Sequence, residues 1–150
     1  MTENRWGSML GSTAEDVLET MFFTSIEPAD ADAPPNERRL AVRLWFTGIP
    51  SGKLTLRVSE ASARSLASNF LAAETDDPLP DAQLEAVVCE LANMICGALL
   101  SQVGGEAHFR LSSPEPVEPG DFDPDLRPMK SLNLADGHLE LWLELEEHAA

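Results

Sequence analysis

The sequence has little positive charge. Ten Lys and Arg residues stand against 26 Asp and Glu residues, which gives a net charge of −16 at pH 7. A surface this acidic repels nucleic acid and anionic lipid, so neither is expected as a partner. The acidity is explained by solubility in one interpretation, and by a preference for partners with a basic patch in another.

Cysteine and histidine residues are also few. Cys89 and Cys96 are predicted to lie on one helix, about 10 Å apart along its axis, whereas a disulfide needs Cα atoms within about 7 Å. Their spacing is not CxxC, and the three histidines are scattered, so no zinc or other metal site is expected. Two unpaired thiols indicate the reducing cytoplasm.

The chain shows no long apolar run free of charges, and no basic N-terminal region that precedes such a run. We therefore expect neither a transmembrane span nor a secretory signal. No internal repeat is evident. The 43% of hydrophobic residues are enough for a core, and residues 1–150 are predicted to form one domain.

Segments whose apolar residues have helical spacing alternate along the chain with segments whose apolar residues have the spacing of a strand. Helices are predicted over 12–24, capped by Ser12 or Thr13, over roughly 59–73, and from Pro78–Asp81 to about Val103 with a stop at Gly104-Gly105. Strands are predicted over 39–46, 53–58 and about 106–112, and in a C-terminal hairpin of 129–134 and 138–146. Residues 27–39 and 113–128 are predicted to be proline-rich acidic connections. The mixture indicates an α+β fold in which a mostly antiparallel sheet packs against long helices.

The third predicted helix carries an unusual polar face. At 100° per residue, its apolar residues form a core stripe that comprises Leu84, Val87, Val88, Leu91, Ile95, Ala98 and Leu99. Glu90 and Asn93 lie about 60° apart, roughly opposite that stripe. Around this pair, Ala86, Cys89 and Gly97 leave the face low and nearly bare.

Two interpretations fit this face. Another element of the same chain packs there and satisfies Glu90 and Asn93 inside, or a second protein approaches and receives the two polar side chains in a cleft. A carboxylate can hold a lysine ammonium, and an amide can orient one water by donating and accepting a hydrogen bond. Neither side chain is a good nucleophile here. The pair therefore suits hydrolysis, by water, of an already reactive bond in a partner's active site, such as an aspartyl phosphate.

Three sequence features resemble one family. Glu90-x-x-Asn93 resembles the signature of the CheC/CheX/FliY family of chemotaxis phosphatases. The family pattern continues with a proline 23 residues after the Asn, a position held here by Pro116. The segment AEDVLETMFF, residues 14–23, is similar to the opening helix of CheX-like proteins, and the order of elements fits that fold over most of the chain.

The resemblance implies a phosphatase that hydrolyses the aspartyl phosphate of a CheY-type response regulator in chemotaxis or another two-component pathway. Glu90 would engage the lysine of the regulator, and Asn93 would orient the attacking water. The receiver domain would supply the Mg²⁺, so this chain would need no cofactor of its own. The surface that docks the regulator would include Ala86, Cys89, Gly97 and Pro116.

The resemblance also implies a homodimer, because CheX-like proteins are homodimers. Trp45 and Trp142 lie on strand faces predicted to be exposed, and they are candidates for the dimer interface. In the alternative interpretation, each tryptophan packs under a loop or against charged side chains of a neighbouring strand.

Two departures from the family pattern affect the expected function. Ala86 stands four residues before Glu90, where the fuller pattern has Asp or Ser. In the first helix, Glu15 is followed three residues later by Leu18, and Glu19 by Phe22. That helix therefore lacks a second Glu-x-x-Asn pair, and one site per chain is expected, as in CheX.

Two further functions remain open. A non-catalytic adaptor of the same fold would bind a receiver domain, or itself, without hydrolysis, and Ala86 favours this function. Intact Glu90 and Asn93 favour the enzyme, since an adaptor has no chemical need for both. A component of the flagellar switch, such as FliY, is the third possibility, although we expect such a component to carry additional domains.

Overall fold

The structure is a computed structural model that describes residues 3–27, 38–48, 50–71, 79–103, 109–122, 127–134 and 137–146. Its helices are α1 (Glu3–Met21), α2 (Glu60–Leu71) and α3 (Asp81–Val103). Its strands are β1 (Ile26–Glu27), β2 (Arg39–Thr47), β3 (Gly52–Ser59), β4 (Arg110–Leu111), β5 (Glu115–Pro116), β6 (Lys130–Leu134) and β7 (Gly137–Leu145). These helices and strands confirm the predicted α+β class.

The strands form one antiparallel sheet in the order β1-β6-β7-β3-β2-β4, with β5 also paired to β2. The first half of the chain contributes α1, β1 and the hairpin β2–β3, and the second half contributes α3, β4, β5 and the hairpin β6–β7. Each half lays its short strands on the outer strand of the other half's hairpin, and β3 pairs with β7 at the centre. The topology thus repeats itself, although the sequence shows no repeat, because only the apolar pattern has to recur.

Alternating side chains of the two hairpins build the inner face of the sheet. Cross-strand rows run from Val42 through Leu56 to Leu141 and from Leu44 through Leu54 to Leu143, and all six side chains are buried. Such rows are the unit by which a half-buried sheet is stabilised. Thr55 and Trp142, on the other face of the sheet, are buried as well.

Helix α3 lies at the centre of the helical layer, where it contacts α1, α2, β2 and β3. Its buried residues are Leu84, Val87, Val88, Leu91, Ala92, Ile95, Cys96, Leu99 and Leu100. This set confirms the predicted core stripe, apart from Ala98, which is half-buried. The stripe fixes which side of α3 faces outward.

Helix α3 bears on the expectation that the chain contains no transmembrane span. This helix is long and apolar enough to cross a membrane when only its length and composition are considered. In the fold it is the central core helix, and a buried helix of this kind passes the same test.

Helix α1 begins at Glu3, nine residues before its predicted start. Ser12 and Thr13 therefore lie inside the helix and do not cap it; Thr13 is buried, and its Oγ1 accepts a hydrogen bond of 2.6 Å from Gln102 Nε2. Gly7 and Gly11 weaken the helical signal in this region. The apolar spacing nevertheless continues to the N-terminus through buried side chains four residues apart, Trp6, Leu10, Ala14, Leu18 and Phe22.

The region that follows α3 differs from the prediction. Of the strand predicted over 106–112, residues 109–112 are described, and Arg110–Leu111 are the part that forms a strand. Gly104-Gly105 lie outside the described residues. The predicted connection 113–128 contains β5 and a 3-10 turn at Pro119–Asp121. Residues 110–117 run along β2, because the N–H groups of Ser112 and Val117 donate to the carbonyls of Trp45 and Ala41 at 2.7 and 2.9 Å.

Trp142 is buried, so its predicted place on an exposed face is wrong. The ring of Phe122 lies 5.3 Å from the Trp142 ring, and the Arg57 guanidinium lies 5.1 Å from it. The alternative, packing under a loop and against a charged side chain, is confirmed for this residue. Trp45 remains 41% exposed.

Candidate functional site

Helix α3 presents one face to solvent along its length. The helix begins where the Pro80 carbonyl accepts the N–H groups of Gln83 and Leu84 at 2.9 and 3.1 Å, and Asp81 places a carboxylate at the positive helix end. The buried stripe holds the opposite face against the sheet. The orientation of the exposed face therefore follows from core packing.

Glu90 and Asn93 are both exposed on this face. Within the described part of the chain, neither side chain forms a hydrogen bond or an ion pair. Three residues of helix separate them by about 4.5 Å along the axis. The two groups are thus available to a second molecule, and the interpretation in which another element of the chain satisfies them inside is not supported.

The surface beside the pair is low. Ala86 is exposed, and Gly97 is half-buried. Among the described residues, and apart from the nearby backbone of its own helix, a Cβ atom built on Gly97 would meet no atom within 4 Å. The space above the last turns of α3 is therefore open to a partner's backbone.

Cys89 lies on the flank of this face and not at its centre. Its half-buried Sγ is 3.9 Å from the Pro114 carbonyl oxygen. Burial, followed by the negative charge of Glu85, raises the pKa of the Cys89 thiol. The thiol of the residue next to Glu90 is therefore protonated at neutral pH and a weak nucleophile.

Pro116 is exposed on β5, where it stands opposite Val42 of β2. It lines the same cavity as Glu85, so it lies on the Cys89 flank of α3. The structure thus brings Ala86, Glu90, Asn93 and Gly97 together on one face, with Cys89 and Pro116 at its border.

Sequence reasoning missed two carboxylates at that border. Glu85 is on α3 and Glu118 follows β5, and both are exposed and line the cavity beside Pro116. The four-residue spacing between Glu85 and Cys89 places them one turn apart on the same side of the helix. Nothing in the sequence near Glu118 indicates its position, because it depends on the pairing of β5 with β2.

Helix α1 does not offer a second pair. Leu18 and Phe22, which follow Glu15 and Glu19 at the motif spacing, are fully buried. No group of three or more His, Cys, Asp or Glu side chains that could hold a metal ion is found in the described stretches.

The sequence matches the model of one protein family. The model described as "Chemotaxis phosphatase CheX" matches residues 40–128, which is more than half of the chain. The chain belongs to this CheX family. No curated protein matches the sequence.

Solved structures of similar fold include three informative cases. Chemotaxis protein CheX from Vibrio vulnificus is 16% identical with a TM-score of 0.72, and the match covers 97% of this chain and 99% of that protein. CheX in a CheX–CheY–BeF₃–Mg²⁺ complex from Borrelia burgdorferi is 19% identical with a TM-score of 0.66, covering 93% and 97%. FliY from Thermotoga maritima is 15% identical with a TM-score of 0.57, covering 95% and 88%. These likenesses show the shared fold.

Proposed function

We propose that this protein hydrolyses the aspartyl phosphate of a phosphorylated CheY-type response regulator. The proposal rests on one observation above all: a CheX-family chain holds, on an exposed helix face, a carboxylate and an amide that have no partner among the described residues. The fold shared with a CheX that was solved in complex with CheY supports the choice of partner.

Glu90 is the proposed anchor and Asn93 the proposed positioning group for water. The Glu90 carboxylate would bind the ammonium group of a receiver lysine near the phosphoryl group. The Asn93 amide would hold one water in line with the phosphorus atom by donating and accepting hydrogen bonds. Alignment of this kind lowers the barrier by removing the need to order the reactants.

In the proposed reaction, the water oxygen forms a bond to phosphorus while the bond from phosphorus to the aspartyl oxygen breaks. The bonding electrons leave with the aspartate as a carboxylate, and the water proton ends on the phosphate product or in solvent. The receiver's own Mg²⁺ would neutralise charge on the phosphoryl oxygens. No group of this chain has to act as a nucleophile or hold a metal.

We also propose that the protein works as a homodimer in the cytoplasm. Trp45 is the described tryptophan with the greatest exposure, so it is the better interface candidate of the two. The free thiols of Cys89 and Cys96 support a reducing compartment.

A receiver-binding adaptor without hydrolysis is the second candidate function. The observation that favours it is the exposed methyl group of Ala86, one turn before Glu90, where the family pattern has Asp or Ser. Such an adaptor would use the same face of α3 for docking alone.

Phosphate release from a panel of phosphorylated CheY-type receivers tests the proposal. Wild type should accelerate release, and Glu90→Gln and Asn93→Ala should abolish most of that acceleration. Asp16→Asn is the control, because it removes an exposed carboxylate from α1 instead. If wild type binds a receiver without accelerating release, the adaptor function is correct and the phosphatase proposal is wrong.

A further inference from the structure

A cavity of about 590 Å³ opens beside the proposed catalytic face. Its walls come from the N-terminal turns of α3, the first residues of β2, and the chain from Pro116 to Phe122. Leu40, Val42, Leu84 and Val117 give it apolar lining. Its volume lies in the range of pockets that receive a ligand or a large side chain.

Each arginine in the cavity wall already pairs with a carboxylate of the same chain. Arg38 Nη1 lies 3.3 Å from Glu60 Oε1, and Arg38 Nη2 lies 3.6 Å from Asp81 Oδ2. Arg39 and Arg57 share Glu140 Oε1, at 3.3 and 2.8 Å. The cavity is therefore a poor site for an anion, despite its three arginines.

Two carboxylates of the cavity wall have no such partner. Glu85 and Glu118 form no ion pair or hydrogen bond with any residue that the structure describes, and both are exposed. Glu85 acts electrostatically on the Cys89 thiol beside it. The unpaired charge of the cavity is thus negative, and its complement is a cation with an aliphatic stem, as in lysine or arginine.

The cavity lies beside the face that carries Glu90 and Asn93. Eight residues of helix separate Glu85 from Asn93, about 12 Å along the axis. Cys89 lies between them and contacts Pro114, in the chain that leads to Glu118. A standard interface covers about 800 Å² per partner, roughly 30 Å across, so a protein docked on Asn93 can reach the cavity.

We propose that this cavity receives a lysine or arginine side chain of the same receiver domain, distinct from the lysine held by Glu90, with Glu85 and Glu118 as its counter-charges. This inference rests on the proposed function. In this inference, the cavity determines which receiver binds and how fast it associates, while Glu90 and Asn93 promote hydrolysis of the phosphoryl group. Charged groups at the edge of an interface act mainly on association and specificity.

The test compares two double variants of equal net charge. Glu85→Gln/Glu118→Gln neutralises the cavity, and Glu19→Gln/Glu27→Gln removes two exposed carboxylates from α1 and from β1, at the opposite edge of the sheet. The cavity variant should raise KM for the phosphorylated receiver about two- to thirtyfold and leave kcat unchanged. It should also flatten the dependence of kcat/KM on salt between low and physiological ionic strength, since fewer charges attract the partner.

The outcomes separate the cavity from the phosphatase function. If the cavity variant and the control have equal KM and salt dependence, the cavity does not bind a receiver cation and the phosphatase proposal stands. If neutralisation lowers KM, the arginines and not the carboxylates face the partner, and the inference is wrong.

If wild type accelerates phosphate release from none of the receivers, the inference is tested by the Kd of the protein for a beryllofluoride-activated receiver. A Kd weakened in the cavity variant alone supports the inference for an adaptor, and an unchanged Kd or the absence of binding overturns it.

Discussion

Substitutions at neighbouring positions on α3 should have different effects: a buried position should affect the free energy of unfolding, and the exposed positions should affect function. Leu91 is fully buried in the core, whereas Glu90 and Asn93, on either side of it, are exposed. We compare Leu91→Ala with Glu90→Gln and Asn93→Ala. The first variant tests the packing of the helix, and the other two test whether its outer face contributes to the fold.

The expected magnitudes differ widely. Leu91→Ala removes three carbon atoms from a closed core, which typically costs about 2–5 kcal/mol in the free energy of unfolding. In a chain of 150 residues, about 2–4 °C of melting temperature corresponds to each kcal/mol, so Tm should fall by roughly 5–20 °C. Glu90→Gln and Asn93→Ala should stay within about 0.5 kcal/mol of wild type. Asn93→Ala should lie on the stabilising side, since Ala has the higher helix propensity.

The free energy of unfolding of all three variants is measured by urea unfolding, which is followed by far-UV circular dichroism. All samples have the same protein concentration, because the stability of a dimer depends on concentration. Phosphate release is measured on the same samples of Glu90→Gln and Asn93→Ala. A loss of more than about 1.5 kcal/mol in Glu90→Gln would refute the reasoning, because a loss of that size belongs to a carboxylate held inside the fold.

Three further predictions address other parts of the molecule. Gly97→Ala should raise the free energy of unfolding by about 0.5–1 kcal/mol, since Gly is unfavourable in a helix and the site has room for a Cβ. Gly97→Leu should fold but should bind the receiver more weakly than wild type in a titration. Equal binding by this variant and wild type would show that no partner approaches this turn. Burial raises the pKa of Cys96 to about 12, above the ordinary value near 9 that it has in the unfolded chain. The free energy of unfolding should therefore fall between about pH 9 and pH 12, where the thiol ionises only in the unfolded chain. For the same reason, Cys96 should react with maleimide at pH 8 only in denaturant. Trp45→Phe should remove most of the acrylamide-quenchable tryptophan emission, and if Trp45 lies in a dimer interface, quenching of wild type should weaken as protein concentration rises.

Local geometry explains what could be predicted from the sequence. The 100° step of a helix placed Glu90 and Asn93 opposite the core stripe of α3, and the alternation of β2, β3 and β7 predicted which side chains would be buried. These relations connect residues a few positions apart, so they need no knowledge of the fold. The resemblance of Glu90-x-x-Asn93 to a family signature indicated the CheX family, which the family match confirms.

Contacts between distant residues determined the rest. Phe122 and Arg57, which lie 65 residues apart in the chain, meet over Trp142 and bury a side chain whose strand pattern predicted exposure. The cavity likewise requires α3, the start of β2 and the chain after β5 to converge. The residues near Glu118 are predicted as a connection, because a two-residue strand has too few side chains to show a period.

The sequence by itself thus determined which face of α3 is exposed and which two polar groups it carries, because both follow from helical periodicity. The tertiary structure alone decided that Glu85 and Glu118 share a cavity beside that face, and that each arginine there is paired with a carboxylate. Periodicity is a property of neighbouring residues, whereas a cavity and its charge arise only when separate segments pack together.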